Sequence, residues 1–300
     1  MRALVTGGAG FIGSVLVERL VAEGHEVDVI DDLSTGSLSN LADARSDRTG
    51  SLRIHQADLR SSEVTDLIAR RTPEVVFHLA ARPDLAGAVD DAETNLVGSL
   101  RVLAGARGAA AKVVYAGDAT AMYGDVEGAA EPVRESHAPV PQSAFGVSNR
   151  TVLEHLRLAR EAHGLEFTAL AFSTVYGPRD REGVVGQLVS AVLDRVAVPV
   201  PDGHLDLLYV DDAVDALVRA AGRGGGLLCN VGSGVAARLG DVFRAAAIQA
   251  GLPEAPSSPG RPTRGVLVDA GRARIHLGWS PWTPLDEGLA HTLRWWSTHP

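Results

Sequence analysis

The sequence predicts an α/β protein built around a doubly wound parallel sheet, because short strands and helices alternate along its first half. Six short apolar segments, most of them rich in β-branched residues, are typical of strands buried on both faces. They lie at 3–6, 26–30, 52–55, 74–79, 112–116 and 166–172. Helical patterns separate them at 11–23, 61–71, about 88–108 and 143–163. Alternating units of this length place parallel strands side by side with helices on both faces.

The regular alternation ends near residue 172. A helix is expected at 183–195, and a second one, capped by Asp211 and Asp212, continues to 221. The glycine-rich segment 222–226 is interpreted as a flexible joint, and apolar residues at helical spacing predict a last helix near the end of the chain. We therefore expect a large first domain over 1–171, completed by about 206–222, and a smaller α/β lobe over 172–300.

Composition argues against several classes of function. The 300 residues carry a net charge of −9 without any Lys/Arg run, which argues against nucleic acid and anionic membranes as partners. No apolar segment approaches the ~20 residues of a membrane span and no signal peptide precedes the first strand, so a cytoplasmic protein is expected. The ten histidines show no metal-binding spacing and no metal site is expected. Cys229, the single cysteine, is expected in a buried strand.

The most specific motif is the glycine cluster between the first strand and the first helix. Gly7 permits a tight turn, Gly10 lets the backbone approach a ligand, and Gly13 lets the helix pack closely on the strand. Phe11 and Ile12 begin that helix, whose first turn presents unpaired N–H groups. These groups and the helix dipole both favour a bound pyrophosphate.

An acidic pair at the end of the second strand indicates which dinucleotide binds. Asp31 and Asp32 follow the glycines at roughly the 20-residue offset at which a carboxylate accepts hydrogen bonds from the adenosine ribose. Such a carboxylate repels a 2′-phosphate, so NAD is predicted rather than NADP. Strand, glycines and acid together predict a Rossmann-type fold that binds NAD.

Several motifs that occur in order along nearly the whole chain resemble those of a known family. Besides the glycines and Asp31 they are Asp58, Phe77-His-Leu-Ala-Ala81, Asn95-Leu-Val-Gly-Ser99, Tyr123-Gly-Asp125, Tyr176-Gly-Pro178 and Tyr209-Val-Asp-Asp212. The chain resembles the extended short-chain dehydrogenase/reductase family, in particular its NAD-dependent nucleotide-sugar epimerases and dehydratases. The resemblance implies an NAD-binding lobe, a smaller substrate lobe, a small-molecule substrate and a homodimer. The residues that it implies around the cofactor are Asp58, Leu59, Ala80, Ala81 and Asn95.

The sequence departs from the family pattern at the proton-transfer residues. The family uses a Tyr-x-x-x-Lys pair on one helix, where the lysine lowers the pKa of the tyrosine so that it can take a proton from a sugar hydroxyl. The matching positions hold Phe145 and Asn149, and neither side chain is ionisable. Asn149 is either a ligand of the nicotinamide ribose or a packing residue. The position that orients the substrate oxygen holds Asp118 or Ala119, with Thr120 nearby.

Asp118 is the leading candidate for an altered catalytic group. It follows an apolar strand at the sheet edge where ligands bind in open α/β folds, and a carboxyl in a partly dry cleft can act as a general acid or base. The alternative is a helix or turn cap. Thr120, Tyr123 and Tyr176 are further catalytic candidates, although packing of two Tyr-Gly turns is the simpler explanation for the tyrosines. His78 is interpreted as a hydrogen-bonded core histidine.

The predicted substrate pocket also differs from the family pattern. Thr174 stands where the family usually carries Asn. Asp206, with Leu205 beside it, stands where the family usually carries an arginine near a substrate diphosphate, and an acid there repels a diphosphate. The residues predicted to line the pocket are Ser143, Phe145, Thr174, Arg261 and Arg264, of which the two arginines are candidates for binding phosphate.

The sequence leaves three functions open. The first is an NAD-binding epimerase/dehydratase-like enzyme with a non-standard active site, acting on a sugar-like or other small polar substrate. The second is a non-redox lyase, isomerase or cyclase that keeps NAD as a fixed structural element. The third is a catalytically silent NAD-binding regulatory protein.

Overall fold

The computed structural model describes residues 1–83, 87–124, 132–252, 255–263 and 265–299. Its strands are β1 (Arg2–Thr6), β2 (Glu26–Asp31), β3 (Ser51–Gln56), β4 (Val75–His78), β5 (Lys112–Asp118), β6 (Phe167–Phe172), β7 (Thr174–Tyr176), β8 (Val198–Val200), β9 (His204–Tyr209), β10 (Leu227–Val231), β11 (Ala236–Arg238) and β12 (Ser257–Pro259). Within the described residues, seven parallel strands form the central sheet in the order β3-β2-β1-β4-β5-β6-β10. Strands β7, β9 and β11 form a second sheet, and β8 pairs with β12.

Helices cover both faces of the central sheet and build the smaller lobe. They are α1 (Phe11–Ala22), α2 (Ala42–Ser46), α3 (Glu63–Arg71), α4 (Ala88–Asp91), α5 (Gly98–Gly108), α6 (Ala119–Tyr123), α7 (Ala144–His163), α8 (Val184–Asp194), α9 (Val210–Gly222), α10 (Leu239–Gln249), α11 (Gly271–Leu277) and α12 (Leu285–Thr298). A 3₁₀ turn, Leu38–Leu41, leads into α2, and a π-helical segment, Ala92–Val97, joins α4 to α5. The predicted fold class, a Rossmann-type doubly wound sheet, is confirmed.

The strand order determines where a ligand can bind. The chain reverses its direction of winding between β1 and β4, and ligands of open α/β sheets occupy the crevice at the carboxyl ends of such strands. The register aligns the ends of β1 and β4, where Thr6 pairs with His78, and those of β5 and β6, where Asp118 pairs with Phe172. Strand β5 continues three residues beyond Tyr115, the partner of His78.

Two local predictions in the second half of the chain are wrong. The segment 222–226 is a defined turn, since Gly224 and Gly226 adopt φ of +67° and +78° and the Gly226 N–H donates to the Phe167 carbonyl over 2.6 Å. It leads directly into β10, the edge strand of the central sheet. Asp211 and Asp212 do not cap α9, because the helix begins at Val210 and both acids lie in its first turn.

Two segments after residue 172 return to the large sheet: α9 contacts α1, β5 and β6, and β10 pairs with β6. The division into 1–171 and 172–300 stays a prediction. Cys229 lies in β10 and is fully buried, as expected. None of the helices in the described ranges is long and apolar enough to cross a bilayer. The described side chains contain no group of three or more His, Cys, Asp or Glu able to hold a metal ion.

Candidate functional site

A cavity of about 450 Å³ lies at the carboxyl ends of β1, β2, β4, β5 and β6, and we call it the cleft. Most residues predicted to hold a dinucleotide line it: Gly7, Gly10, Phe11, Ile12, Gly13, Asp31, Asp32, Asp58, Leu59, Ala80 and Ala81. Asp118, Phe145 and Thr174 also line it, so the cofactor candidates and part of the predicted substrate pocket share one cavity.

The glycine loop leaves space that no side chain could share. Gly7 has φ of +71°, and a Cβ there would lie 2.8 Å from the backbone N and Cα of Ala80. A Cβ on Gly13 would lie 2.0 Å from the Gly7 carbonyl oxygen, so the start of α1 is in direct contact with the loop. Around the N-terminus of α1 the glycine loop therefore presents backbone atoms and no side chains, an arrangement that accommodates a pyrophosphate.

Asp31 both lines the cleft and shapes the glycine loop. Its Oδ2 accepts the Ala9 N–H over 2.9 Å and its Oδ1 accepts the Leu33 N–H over 2.8 Å. Burial raises the pKa of Asp31, and these two hydrogen bonds oppose the rise. Each carboxylate oxygen retains a lone pair, so Asp31 can also accept ribose hydroxyls. At the same end of the cleft, hydrogen bonds from Arg60 lower the pKa of Asp58.

A chain of buried hydrogen bonds fixes the β1 and β4 ends behind the cleft. The Ala80 N–H donates to Thr6 Oγ1, which lies 2.7 Å from His78 Nδ1. On the other side of the ring, Nε2 lies 2.8 Å from Ser99 Oγ, which donates to the Asn95 carbonyl. Because the Ser99 hydroxyl donates to Asn95, it accepts from the Nε2–H of His78, and in the neutral ring Nδ1 accepts the Thr6 hydroxyl. Burial lowers the pKa of His78 to about 4.

Asn95 holds the cleft wall from behind. Its Oδ1 accepts the Arg82 N–H and its Nδ2 donates to the Arg82 carbonyl, each over 2.8 Å. Nδ2 also donates to Asp91, which accepts a hydrogen bond from Ser148 on α7. Asn95 is 5% exposed and is not among the described residues that line the cleft. The geometry supports a positioning role through Arg82, which does line the cleft.

Position 149 lies behind the cleft wall. Asn149 is 4% exposed, and its Oδ1 accepts both the Tyr115 hydroxyl over 3.2 Å and the Asp118 N–H over 3.1 Å. Its Nδ2 donates to the Phe145 carbonyl over 3.0 Å. The Asn149 side chain thus connects the start of α7 to the end of β5. It is not among the described residues that line the cleft.

Asp118 caps a helix and also lines the cleft. Its Oδ1 accepts the Ala121 N–H over 2.8 Å, which makes it the N-cap of α6, and it also lines the cleft. Desolvation by surrounding protein raises the pKa of Asp118, while the N–H groups of Ala121 and Thr120 oppose the rise. Because the residue is open to solvent inside the cleft, water limits the increase. Of the described residues that line the cleft, none is Tyr, Lys or His.

Comparison with known proteins places the chain in a family. The sequence pattern of the NAD dependent epimerase/dehydratase family matches residues 3–232. The chain belongs to this family. UDP-glucose 4-epimerase of Mycolicibacterium smegmatis is 38% identical, over 98% of this chain and 97% of the relative. The UDP-glucose 4-epimerase of Thermotoga maritima, solved with UDP-glucose, has a TM-score of 0.91 and 30% identity, over 100% of this chain and 99% of that one. The Thermus thermophilus enzyme, solved with NAD, has a TM-score of 0.87 and 30% identity, over 99% of both chains.

In this member of the epimerase/dehydratase family, several predicted site residues lie away from the cleft lining. The Tyr123 hydroxyl donates to Asn230 over 2.8 Å, and burial raises the pKa of Tyr123 to about 12. The Tyr176 hydroxyl, 3.4 Å from the Leu285 carbonyl, is also buried. Ser143 caps α7 through the Gly146 N–H, and Thr120 lies 3.5 Å from the Val266 N–H.

The structure contradicts the argument that Asp206 repels a substrate diphosphate. Asp206 is 1% exposed and accepts hydrogen bonds from Ser233 N–H and Oγ, the Gly234 N–H and the Val268 N–H, at 2.7 to 3.1 Å. It is a structural anchor of β9. Arg261 is exposed and is not among the described lining residues, and Arg264 lies outside the described residues.

Sequence reasoning missed part of the lining. The additional polar residues are Ser34, Thr35, Arg82, Thr94, Ser173 and Glu182. Arg82 directly follows Ala81 and Ser173 directly precedes Thr174, two positions predicted to line the site, so their neighbours in the sequence could have identified them. Thr94 directly precedes the predicted Asn95, but the sequence pattern does not reveal the π-helical segment, in which Thr94 lines the cleft and Asn95 does not appear among the described lining residues.

Proposed function

We propose that this chain binds NAD and a nucleotide sugar in the cleft, and that Asp118 moves the proton that a tyrosine–lysine pair moves elsewhere in the family. The observation that carries the proposal is the composition of the lining. The lining contains the glycine loop and Asp31, which suit a dinucleotide, and it contains the ionisable Asp118. Phe145 and Asn149, whose Oδ1 already accepts the Asp118 N–H, have no ionisable group.

The residues around the glycine loop fit the cofactor. The α1 N-terminus and the glycines would hold the pyrophosphate, Asp31 the adenosine ribose, and Asp58 with Leu59 the adenine side. When bound, NAD supplies reversible acceptance of a hydride from a ligand carbon that bears a hydroxyl. The nucleotide-sugar class rests on the relatives named above, whose crystals contain UDP-glucose or NAD.

Asp118 then accepts the proton of that hydroxyl and returns it in the reverse direction. A carboxylate can accept a proton only while it is ionised, and its raised pKa brings it closer to the operating pH, which favours general base catalysis. Asn149 fixes the Asp118 backbone, and the Tyr115 hydroxyl in turn orients Asn149. Turnover is therefore expected to fall as the pH falls through the pKa of Asp118.

A second candidate is a protein that binds NAD and the nucleotide sugar without turning them over. It is favoured by the helix cap, because Asp118 Oδ1 already accepts the Ala121 N–H and a cap alone explains the residue. A non-redox lyase, isomerase or cyclase would use the same acid without hydride transfer.

The experiment measures interconversion of UDP-glucose and UDP-galactose by the NAD-loaded protein and by Asp118→Asn. Asparagine caps helices as well as aspartate does, so the variant should keep its stability while turnover falls by roughly 10²- to 10⁴-fold. Asp241→Asn, which removes an exposed acid from the first turn of α10, is the matched control. Unchanged turnover in Asp118→Asn would remove the catalytic role.

Binding without turnover would favour the second candidate. Calorimetry with NAD and with UDP-glucose, run on the same wild-type sample, separates that case from a protein that binds neither. Turnover without any signal from reduced cofactor would favour the non-redox enzyme.

We also propose a homodimer through α5 and α7. The support is apolar exposure next to and along these helices, at Val97, Val147 and Leu158, which are 38%, 52% and 57% exposed. Sedimentation of wild type and Leu158→Glu tests it: the variant should sediment as a smaller species, and an equal value for both would contradict the interface.

A further inference from the structure

The turn between β7 and α8 forms part of the substrate side of the cleft. Thr174 and Val175 of β7 and Glu182 near the start of α8 line the cavity. Between them, Arg179 adopts φ of +72°, in the left-handed region that favours glycine. A side chain larger than hydrogen persists in such a conformation only where surrounding contacts hold it.

Those contacts come from α1, the helix whose first turn builds the glycine loop. Arg179 Nη1 donates to Ser14 Oγ over 3.1 Å, and its Nη2 pairs with Glu18. The Arg179 side chain is only 12% exposed. Ser14 belongs to the loop structure, because its N–H donates to the Gly10 carbonyl over 3.1 Å. A single guanidinium therefore joins the substrate side of the cleft to the pyrophosphate side.

The next residues hold the turn from the opposite direction. The Arg181 guanidinium lies 5.0 Å from the Trp296 ring centre and 5.7 Å from that of Trp295, so it packs on α12. Asp180 Oδ1 accepts the Gly183 N–H over 2.8 Å and closes the start of α8. The turn thus contacts α1 on one side and α12 on the other. Its only described ion pair with α1 is that of Arg179 with Glu18.

We propose that Arg179 is a positioning residue that couples the two sides of the cleft, so that NAD on the glycine loop orders the turn 177–183 on the substrate side. The proposal rests on the NAD assignment made above and goes beyond it, since it requires neither a substrate nor turnover. The coupling runs from the glycine loop through Ser14 and Glu18 to Arg179. Coupling of this kind is reciprocal, so loss of Arg179 must also weaken NAD binding.

The experiment compares amide hydrogen exchange with and without NAD in the wild type and in three variants. Arg179→Ala removes the contacts and keeps the backbone strain, whereas Arg179→Gly removes both. Arg179→Lys keeps a charge that can reach Glu18. Arg71→Gln is the matched control, because Arg71 pairs with the buried Asp28 over 3.0 Å within the NAD-binding part of the chain.

In the wild type and the control, NAD should slow exchange of the 177–183 amides by at least about fivefold, the low end of ordinary coupling. Arg179→Ala and Arg179→Gly should lose that slowing and bind NAD more weakly by a similar factor, and Arg179→Lys should recover part of both. A purely structural role would lower the melting temperature of both Arg179→Ala and Arg179→Gly, less in the glycine variant because its backbone strain is relieved, and would leave the NAD-dependent slowing as in the wild type, which would contradict the proposal.

Equal NAD-dependent slowing in Arg179→Ala and wild type would overturn the proposal, as would NAD binding to wild type without any slowing. Binding is followed separately by tryptophan fluorescence. A wild type that binds no NAD would instead overturn the cofactor assignment, and the coupling with it.

Discussion

The buried histidine behind the cleft predicts how the protein responds to acid. His78 is 1% exposed and neutral, and its ring joins Thr6 to Ser99 through both nitrogens. Its pKa is lowered from 6.5 to about 4, so the unfolded chain binds a proton between these values that the folded chain does not. Stability from this residue is fully present above pH 6.5 and is lost as the pH falls toward 4.

The size of the effect follows from the two pKa values. At 1.36 kcal/mol per pH unit, the full difference corresponds to roughly 3 kcal/mol, most of which is already lost at about pH 4.5. Other acids titrate over the same range, so the wild-type curve alone does not isolate the histidine. The comparison with His78→Phe does, because phenylalanine conserves much of the ring volume and cannot titrate.

The assay is urea unfolding of wild type and His78→Phe at about pH 7.5 and about pH 4.5. At the higher pH the variant should be less stable by about 1–3 kcal/mol, because the Thr6 hydroxyl loses its acceptor. At the lower pH that gap should shrink by roughly 2–3 kcal/mol. NAD affinity of the folded wild type should fall only as the pH approaches 4, where His78 itself takes up a proton, since Thr6 also holds the Ala80 N–H at the cleft. A gap that stays constant with pH would refute the neutral, buried imidazole.

Three other predictions concern the cleft and its neighbouring turn. Gly13→Ala should weaken NAD binding far more than Gly10→Ala in calorimetric titrations. The new Cβ would lie 2.0 Å from the Gly7 oxygen in Gly13→Ala and 3.3 Å from it in Gly10→Ala. Similar NAD affinities of the two variants would contradict pyrophosphate binding at the glycine loop. Asp31→Asn should reduce the preference for NAD over NADP by roughly tenfold, about 1.4 kcal/mol, in paired fluorescence titrations, and an unchanged ratio would remove Asp31 from the ribose site. Burial raises the pKa of Asp180 to about 6, so its ionisation costs stability as the pH rises from 3.8 through 6. Asp180→Asn should therefore gain up to about 3 kcal/mol relative to wild type between these pH values in urea unfolding, and parallel curves would show that the carboxyl is not buried as described.

Residues whose role depends on nearby sequence were predictable. The glycine loop is an example, because the φ of Gly7 and the contact between Gly13 and Gly7 arise within a few residues. Asp31 is another, since its partners Ala9 and Leu33 belong to the same βαβ unit. These predictions needed only turn geometry, helix polarity and strand pattern.

Residues whose partners come from distant segments were not predictable in the same way. Asp206 resembled a group that faces a diphosphate, but Ser233 and Val268, from later segments, enclose it. Tyr123 was a catalytic candidate with packing as the simpler explanation, and only the structure paired its hydroxyl with Asn230 of the edge strand. In each case the sequence identified a polar residue of the right kind near the cleft and could not say on which side of its wall the side chain lies.

The doubly wound α/β fold and its dinucleotide loop could be predicted from the sequence alone, because periodicity, glycine spacing and an acid at a strand end are local properties. The folded structure was needed to show that Asn149 faces inward to Tyr115 and Asp118, that Asn95 is hydrogen-bonded to the Arg82 backbone, and that Arg179 contacts α1 through Ser14. The physical reason is that a buried polar side chain must find its hydrogen-bond partners within reach, and folding brings those partners from anywhere along the chain.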